Sequence, residues 1–174
     1  YGTNGVGDFD GDGVDDVMTA SYANNEGGEN AGKTYVMTGA SMGSPGTRSL
    51  SEAAYGFTGA SAGDWSGFGA GPAGDFDRDG LADIIIGGMW HTGSMLGQGA
   101  GYLVLSGSLS GPGTYSLNDA DHIFAGEAEL DTAGYKLAGT GDMNGDGMPD
   151  LMVSGWQGNV PEEGGKVWLL MNPN

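Results

Sequence analysis

The chain has no cysteine, and only 5 of its 174 residues are lysine or arginine. Without cysteine there are no disulfides, no thiolate metal sites and no cysteine nucleophile. Against 23 acidic residues, so few bases leave a formal charge of −18, which disfavours nucleic acid and anionic membrane surfaces as partners. No apolar run approaches the roughly 20 residues of a membrane-spanning helix, so no membrane insertion is expected, and no signal peptide is recognisable. The two histidines, His91 and His122, lie far apart in sequence and offer no local acid–base arrangement. There is no G-x-S-x-G elbow either, so no enzyme is expected. The chain opens on Tyr1 rather than Met, which reads as a processed product or a fragment.

Glycine is abundant instead: 38 residues, about three times the usual share and without a collagen period. Much of the acid is gathered in short stretches. GDFDGDGVDD spans residues 7 to 16, GDFDRDGLAD residues 74 to 83, and GDMNGDGMPD residues 141 to 150. Carboxylates about 4 Å apart repel by roughly 1 to 4 kcal/mol per pair, so such stretches call for a counterion. Their leading residues, Asp8, Asp75 and Asp142, are spaced by a constant 67 residues, the mark of an internal repeat.

Other landmarks keep that register. An aromatic precedes each leading aspartate by seven residues: Tyr1, Phe68 and Tyr135. Each acidic stretch is followed by a short apolar run, DVMTAS, DIIIGG or DLMVSG, then a glycine-rich loop and a second run, GKTYVMTG, GYLVLSG or GKVWLLM. Two units continue to AAYGFTG and DHIFAG. No window sustains a helical period. The spacing predicts an all-β fold with four short strands, A to D, in each unit. Strand A is expected at 1–7, 67–74 and 134–141, and strand B at about 14–20, 81–87 and 148–154. Strand C is expected at about 33–38, 101–106 and 166–171, and strand D at about 54–58 and 121–125. The units are 1–66, 67–133 and 134–174, the third incomplete. Four antiparallel strands repeated radially make β-propeller blades; a sandwich or a solenoid is the competing arrangement.

Each acidic stretch has the form D-x-[DN]-x-D-G-x-x-D. The candidate ligands are Asp8, Asp10, Asp12 and Asp16, then Asp75, Asp77, Asp79 and Asp83, then Asp142, Asn144, Asp146 and Asp150. Oxygens at positions 1, 3 and 5 converge when the backbone curls, and glycine at position 6 permits the turn, as in an EF-hand loop. A carbonyl ligand at position 7 would come from Val14, Leu81 or Met148. An all-oxygen set suits Ca²⁺, about three ions for the chain. An EF-hand would need Glu at position 12, where Thr19, Ile86 and Val153 stand. The loops are therefore expected to be hairpins between strands A and B, with Asx-rich turns as the plain alternative.

With these motifs the chain resembles the FG-GAP repeats of integrin α-subunit propellers and their secreted bacterial relatives. Phe68-Gly69, the near match Tyr1-Gly2, and the GAP-like positions Ala20-Ser21-Tyr22, Gly87-Gly88-Met89 and Ser154-Gly155-Trp156 carry the likeness together with the three loops. Tyr135-Lys136 departs from the FG pair. The resemblance implies a non-catalytic, calcium-stabilised extracellular adhesion module. It also implies recognition on the face opposite the acidic hairpins, where the B–C loops emerge. There Tyr22, Asn24, Trp90, His91, Trp156 and Gln157 are candidate contacts for a protein or glycan ligand, or else packing between blades. Two alternatives stand beside the adhesion module: a building block that self-associates through open blade edges, and a carbohydrate-binding lectin. His122 is expected to pack half-buried in strand D. Asp119, Asp121, Glu127, Glu129 and Asp131 are expected to form a solvated acidic face, and the Glu162-Glu163 pair likewise.

Overall fold

The computed structural model describes residues 3–156 and 164–172. Tyr1, Gly2, Gln157, Glu162 and Glu163 lie outside these residues. Three sheets follow one another along the chain. The first pairs β1 (Thr3–Gly7), β2 (Asp16–Ser21), β3 (Lys33–Met37) and β4 (Tyr55–Thr58) as antiparallel neighbours. The second pairs β5 (Ser66–Gly74), β6 (Asp83–Gly88), β7 (Ala100–Val104) and β9 (His122–Ala125) in the same way. The third holds β10 (Ala133–Gly141), β11 (Asp150–Gly155) and β12 (Lys166–Leu170). The fold is all-β and propeller-like. Helix is confined, among the described residues, to the four-residue α1 (Gly39–Met42) and three-residue 3₁₀ turns.

Strand alternation explains how the sheets stack. The middle strand β6 reads Ile84-Ile85-Ile86, each fully buried. Successive side chains point to opposite faces. Ile84 and Ile86, with Tyr102 and Val104, pack with Met18, Val36 and Phe57 of the first sheet. Ile85 and Leu103 pack with Leu151 and Val153 of the third. Small residues let the sheets converge. A Cβ on Gly87 would lie 2.0 Å from the Gly134 carbonyl, and one on Gly134 2.2 Å from the Ala100 carbonyl. Neither position has room for alanine.

Four expectations are corrected. The B strands start at Asp16, Asp83 and Asp150, two residues later than expected, because positions 7 and 8 still belong to the loop. The first sheet has five strands rather than four. Its fifth, β8 (Gly113–Ser116), comes from the C–D connection of the second unit and pairs parallel to β4, from Tyr55↔Gly113 to Thr58↔Ser116. A bare β4 edge would leave a row of unpaired N–H and C=O groups; β8 covers it, and Tyr115 stacks on Phe57 at 5.9 Å.

The acidic face is also smaller than expected. Asp131 is fully buried because Lys166 Nζ lies 2.9 Å from its carboxylate and the Glu127 and Ala128 N–H groups donate to it. Asp119, Asp121, Glu127 and Glu129 are exposed. So is His122, expected half-buried, which stacks on Phe124 at 6.3 Å on β9, the edge strand of its sheet among the described residues.

Candidate metal centres

The three acidic stretches form the A–B hairpins, and each folds by the same side-chain to backbone bonds. The position 1 carboxylate accepts the N–H of position 6: Gly13 to Asp8 at 2.9 Å, Gly80 to Asp75 at 3.2 Å, Gly147 to Asp142 at 2.7 Å. Position 3 accepts the N–H of position 5, with Asp10, Asp77 and Asn144 as acceptors. Position 5 accepts the N–H of position 7, and the Val14, Leu81 and Met148 donors all lie at 2.8 Å. These Asx turns wind the backbone around the alternating oxygens. Gly13, Gly80 and Gly147 have φ of +86°, +94° and +86°, the left-handed region where glycine carries no Cβ penalty.

Position 9 behaves differently from its neighbours. Asp16, Asp83 and Asp150 are buried, and each uses both oxygens as a clamp. One oxygen accepts the N–H of position 2, at 2.8 Å from Phe9, 2.7 Å from Phe76 and 2.8 Å from Met143. The other accepts an N–H just beyond strand C, at 2.8 Å from Gly39, 2.9 Å from Ser106 and 2.9 Å from Asn172. The ninth residue thus ties the hairpin to the end of the third strand. Sequence reasoning assigned it as a ligand and had no signal for this second task.

The carboxylates come together in two of the loops. Ligand oxygens of Asp8, Asp10 and Asp16 lie within 4.8 Å of one another, as do those of Asp75, Asp77 and Asp79. Asp12 and Asp83 stand outside these groups. Among the described residues, Asp142, Asp146 and Asp150 form no such group. In that third loop the Asn144 amide donates to Asp146 at 2.9 Å. Desolvation, and then the charges of Asp16, Asp12 and Asp8, hold the Asp10 carboxyl above its ordinary value, against the lowering pull of the Asp12 N–H. Asp83 is pushed up to about 6, by burial first and also by Asp77 and Asp79, although the Ser106 and Phe76 N–H groups oppose the shift. A bound cation would relieve the like-charge part of the Asp10 shift. Asp75 Oδ1 is buried with no hydrogen-bond partner, an oxygen that an ion would satisfy. The donor set is all oxygen, which fits a hard cation such as Ca²⁺.

Comparison with known proteins bears on this hairpin directly. The FG-GAP repeat family matches residues 2–37, the stretch that runs through the first acidic loop to the end of β3. This stretch matches an FG-GAP repeat, and the chain is similar to integrin α-subunits over part of its length. It is 32% identical over 111 residues to integrin alpha pat-2 of Caenorhabditis elegans and, over the same length, to that of Caenorhabditis briggsae. Each match covers 63% of this chain and 8% of the relative. FG-GAP modules of this type are generally non-catalytic. Among the described residues no helix is long and apolar enough to cross a membrane.

The end of the sheets opposite the acidic hairpins carries a string of rings. Trp90 meets Trp65 at 6.4 Å, Trp65 meets Tyr22 at 5.6 Å, and Tyr22 meets Phe68 at 5.6 Å. Phe68 meets Tyr135 at 5.4 Å and Tyr135 meets Trp156 at 6.1 Å. Lys136 Nζ sits 5.3 Å from the Phe68 ring centre. Of the residues singled out in the sequence, Tyr22 and Trp90 are half-buried in this string and Trp156 is 54% exposed. Asn24 is turned inward: its Oδ1 accepts the Glu26 N–H and its amide donates to Tyr35. His91 Nδ1 lies 3.4 Å from buried Asp64. Trp65 and Lys136 were missed. Trp65 has no aromatic counterpart one repeat later, where Thr132 stands, so the period could not flag it.

Proposed function

We propose that the chain is a calcium-stabilised, non-catalytic recognition module of integrin-α type that works outside the cell. The observation that carries this reading is the convergence of Asp8, Asp10 and Asp16, and of Asp75, Asp77 and Asp79, on single points within hairpins of identical winding. Ca²⁺ held there would cancel the mutual repulsion of each cluster and lock the turn, so that binding energy becomes folding energy. Val14 and Leu81 are the position 7 carbonyl candidates, and the third loop, with Asn144 in place of a carboxylate, is the weakest of the three. Extracellular modules bind Ca²⁺ at roughly 10⁻⁴ to 10⁻³ M, which suits a compartment rich in calcium. The string of rings on the opposite end, with Trp156 outermost, is the surface offered to a protein or glycan ligand.

The test is scanning calorimetry in Ca²⁺ and in chelator. At about 10 mM Ca²⁺ each occupied loop contributes about 1.4 to 2.7 kcal/mol, or about 3 to 11 °C in a chain of this size. An unchanged melt rejects the calcium reading. A second reading, self-association, rests on the outer face of the third sheet. Met152 and Leu169 are exposed there at the repeat positions that Ile85 and Leu103 fill in the second sheet. Light scattering that finds a monomer in Ca²⁺ rejects it.

A further inference from the structure

The acidic loops of successive units touch, and the two contacts are made by different atoms. Between the first and second loops the Ala82 N–H donates to the Asp8 carbonyl at 2.9 Å. One repeat later the donor position is Pro149, which has no N–H. The approach itself is repeated: a Cβ on Gly7 would meet that of Ala82 at 3.1 Å, and one on Gly74 would meet that of Pro149 at 3.7 Å. The second contact lacks its backbone bond.

Arg78 stands in its place. This residue is position 4 of the second loop, where the other loops have Gly11 and Gly145. Its guanidinium donates to the carbonyl of Gly147, position 6 of the third loop. Arg78 has φ of +64°, a left-handed conformation that an L side chain adopts at a cost. Asp75, Asp77 and Asp79 share its loop, yet the ion pairs among the described residues do not include it. Its hydrogen bond reaches across to the third loop.

We infer that Arg78 is a positioning residue for the ion of the third loop, a strut that replaces the backbone bond Pro149 cannot make and passes the order of the second loop to the third. The inference deepens the calcium reading and rests on it. The third loop has most need of such support. It has one carboxylate fewer than the others, and its acids do not gather by themselves. Pinning Gly147 fixes the glycine whose N–H holds Asp142. Ordering supplied before the ion arrives need not be drawn from the binding energy.

The experiment is a Ca²⁺ titration followed by amide nuclear magnetic resonance on the whole chain. The Gly13, Gly80 and Gly147 N–H groups each donate to the first aspartate of their own loop, so each signal reports one loop. Arg78→Ala is expected to weaken the Gly147 titration about 3- to 10-fold and to leave Gly13 unmoved. Removing a positive charge near a cation would by itself tighten binding, so a loss cannot be an electrostatic effect. In the Arg78→Ala, Pro149→Ala double variant, the restored N–H is expected to recover most of the loss. An unchanged Gly147 titration, an equal loss in all three loops, or no recovery in the double variant overturns the inference. Amide exchange in chelator separates it from the calcium reading. Arg78→Ala should speed exchange at Met143 and Asn172, the donors to Asp150, and spare Phe9 and Gly39, the donors to Asp16. If no glycine signal responds to Ca²⁺, the calcium reading falls. If exchange at Met143 and Asn172 is also unchanged, the strut falls with it.

Discussion

Two seams join the three sheets, and at each a buried aspartate sits just before the inner strand: Asp64 before β5 and Asp131 before β10, one repeat apart. Each caps the turn that leads into the strand, Asp64 through the Ser61 N–H and Asp131 through the Glu127 and Ala128 N–H groups. Their other partners differ. Asp131 has Lys166, which follows Gly165 at the start of strand C. The equivalent residue of the second unit is Ala100, and Asp64 turns to the Tyr102 hydroxyl and His91 Nδ1, each at 3.4 Å. Burial first, and then the charge of Asp64, raises the Tyr102 phenol well above its ordinary value, so it remains a donor. Both turns use one carboxylate oxygen as an acceptor, and the further partners differ: Lys166 of strand C at one seam, Tyr102 of strand C and His91 of the preceding loop at the other. Both seams have an apolar core; at the aspartate one adds an ion pair, the other hydroxyl and imidazole contacts.

The largest blow to this contrast is aimed at the core of the first seam, which has no ion pair at its aspartate. Ile86→Ala, at a fully buried site, should cost about 2 to 5 kcal/mol, read from urea denaturation. A cost under about 1 kcal/mol would mean that the first two sheets are not held by that core. Next comes the ionic seam, where Asp131→Asn should cost about 1.5 to 3 kcal/mol, the worth of hydrogen bonds to a charged group. Its pH dependence sharpens the point. Burial is the largest single influence on Asp131 and raises it, but the Lys166 hydrogen bond and the two N–H donors outweigh it and leave the carboxyl below its ordinary 3.8. A lowered carboxyl stabilises the fold above the unfolded value and loses that contribution as pH falls through the folded one. The gap between wild type and Asp131→Asn should therefore be constant near neutrality and shrink below about pH 4. A gap that widens in acid would reverse the assignment. The smallest effect is Tyr102→Phe, about 0.5 to 1.5 kcal/mol for one hydrogen bond. It should be insensitive to salt, and a salt-dependent cost would mean that Asp64 is held by charge after all.

Strands and loops were legible because each writes itself locally: alternation in DIIIGG, glycine and aspartate at fixed places in GDFDRDGLAD. What was hidden lies in pairings between repeats. Asp131 reads as one more acid in EAELD until Lys166, far along the chain, is placed beside it. GTYS at 113–116 is a short polar run behind Gly-Pro-Gly, and nothing local says that it will pair with a strand 58 residues earlier. The clamp role of Asp16, Asp83 and Asp150 escaped notice for the same reason, since half of each clamp belongs to the end of another strand.

The strand β8 sets the order in which this chain can be finished during synthesis. When the ribosome has released the first 66 residues, four strands of the first sheet exist but its outer edge is still bare. The fifth strand emerges some fifty residues later, after most of the second sheet has been made. The first sheet is closed by a strand of its successor, so there the unit of sequence and the unit of folding are out of step. A gene cut at the 67-residue period would yield a piece with an unsealed border. A nascent chain must shield that border until residue 116 arrives, and the border is most open to wrong pairing in that interval.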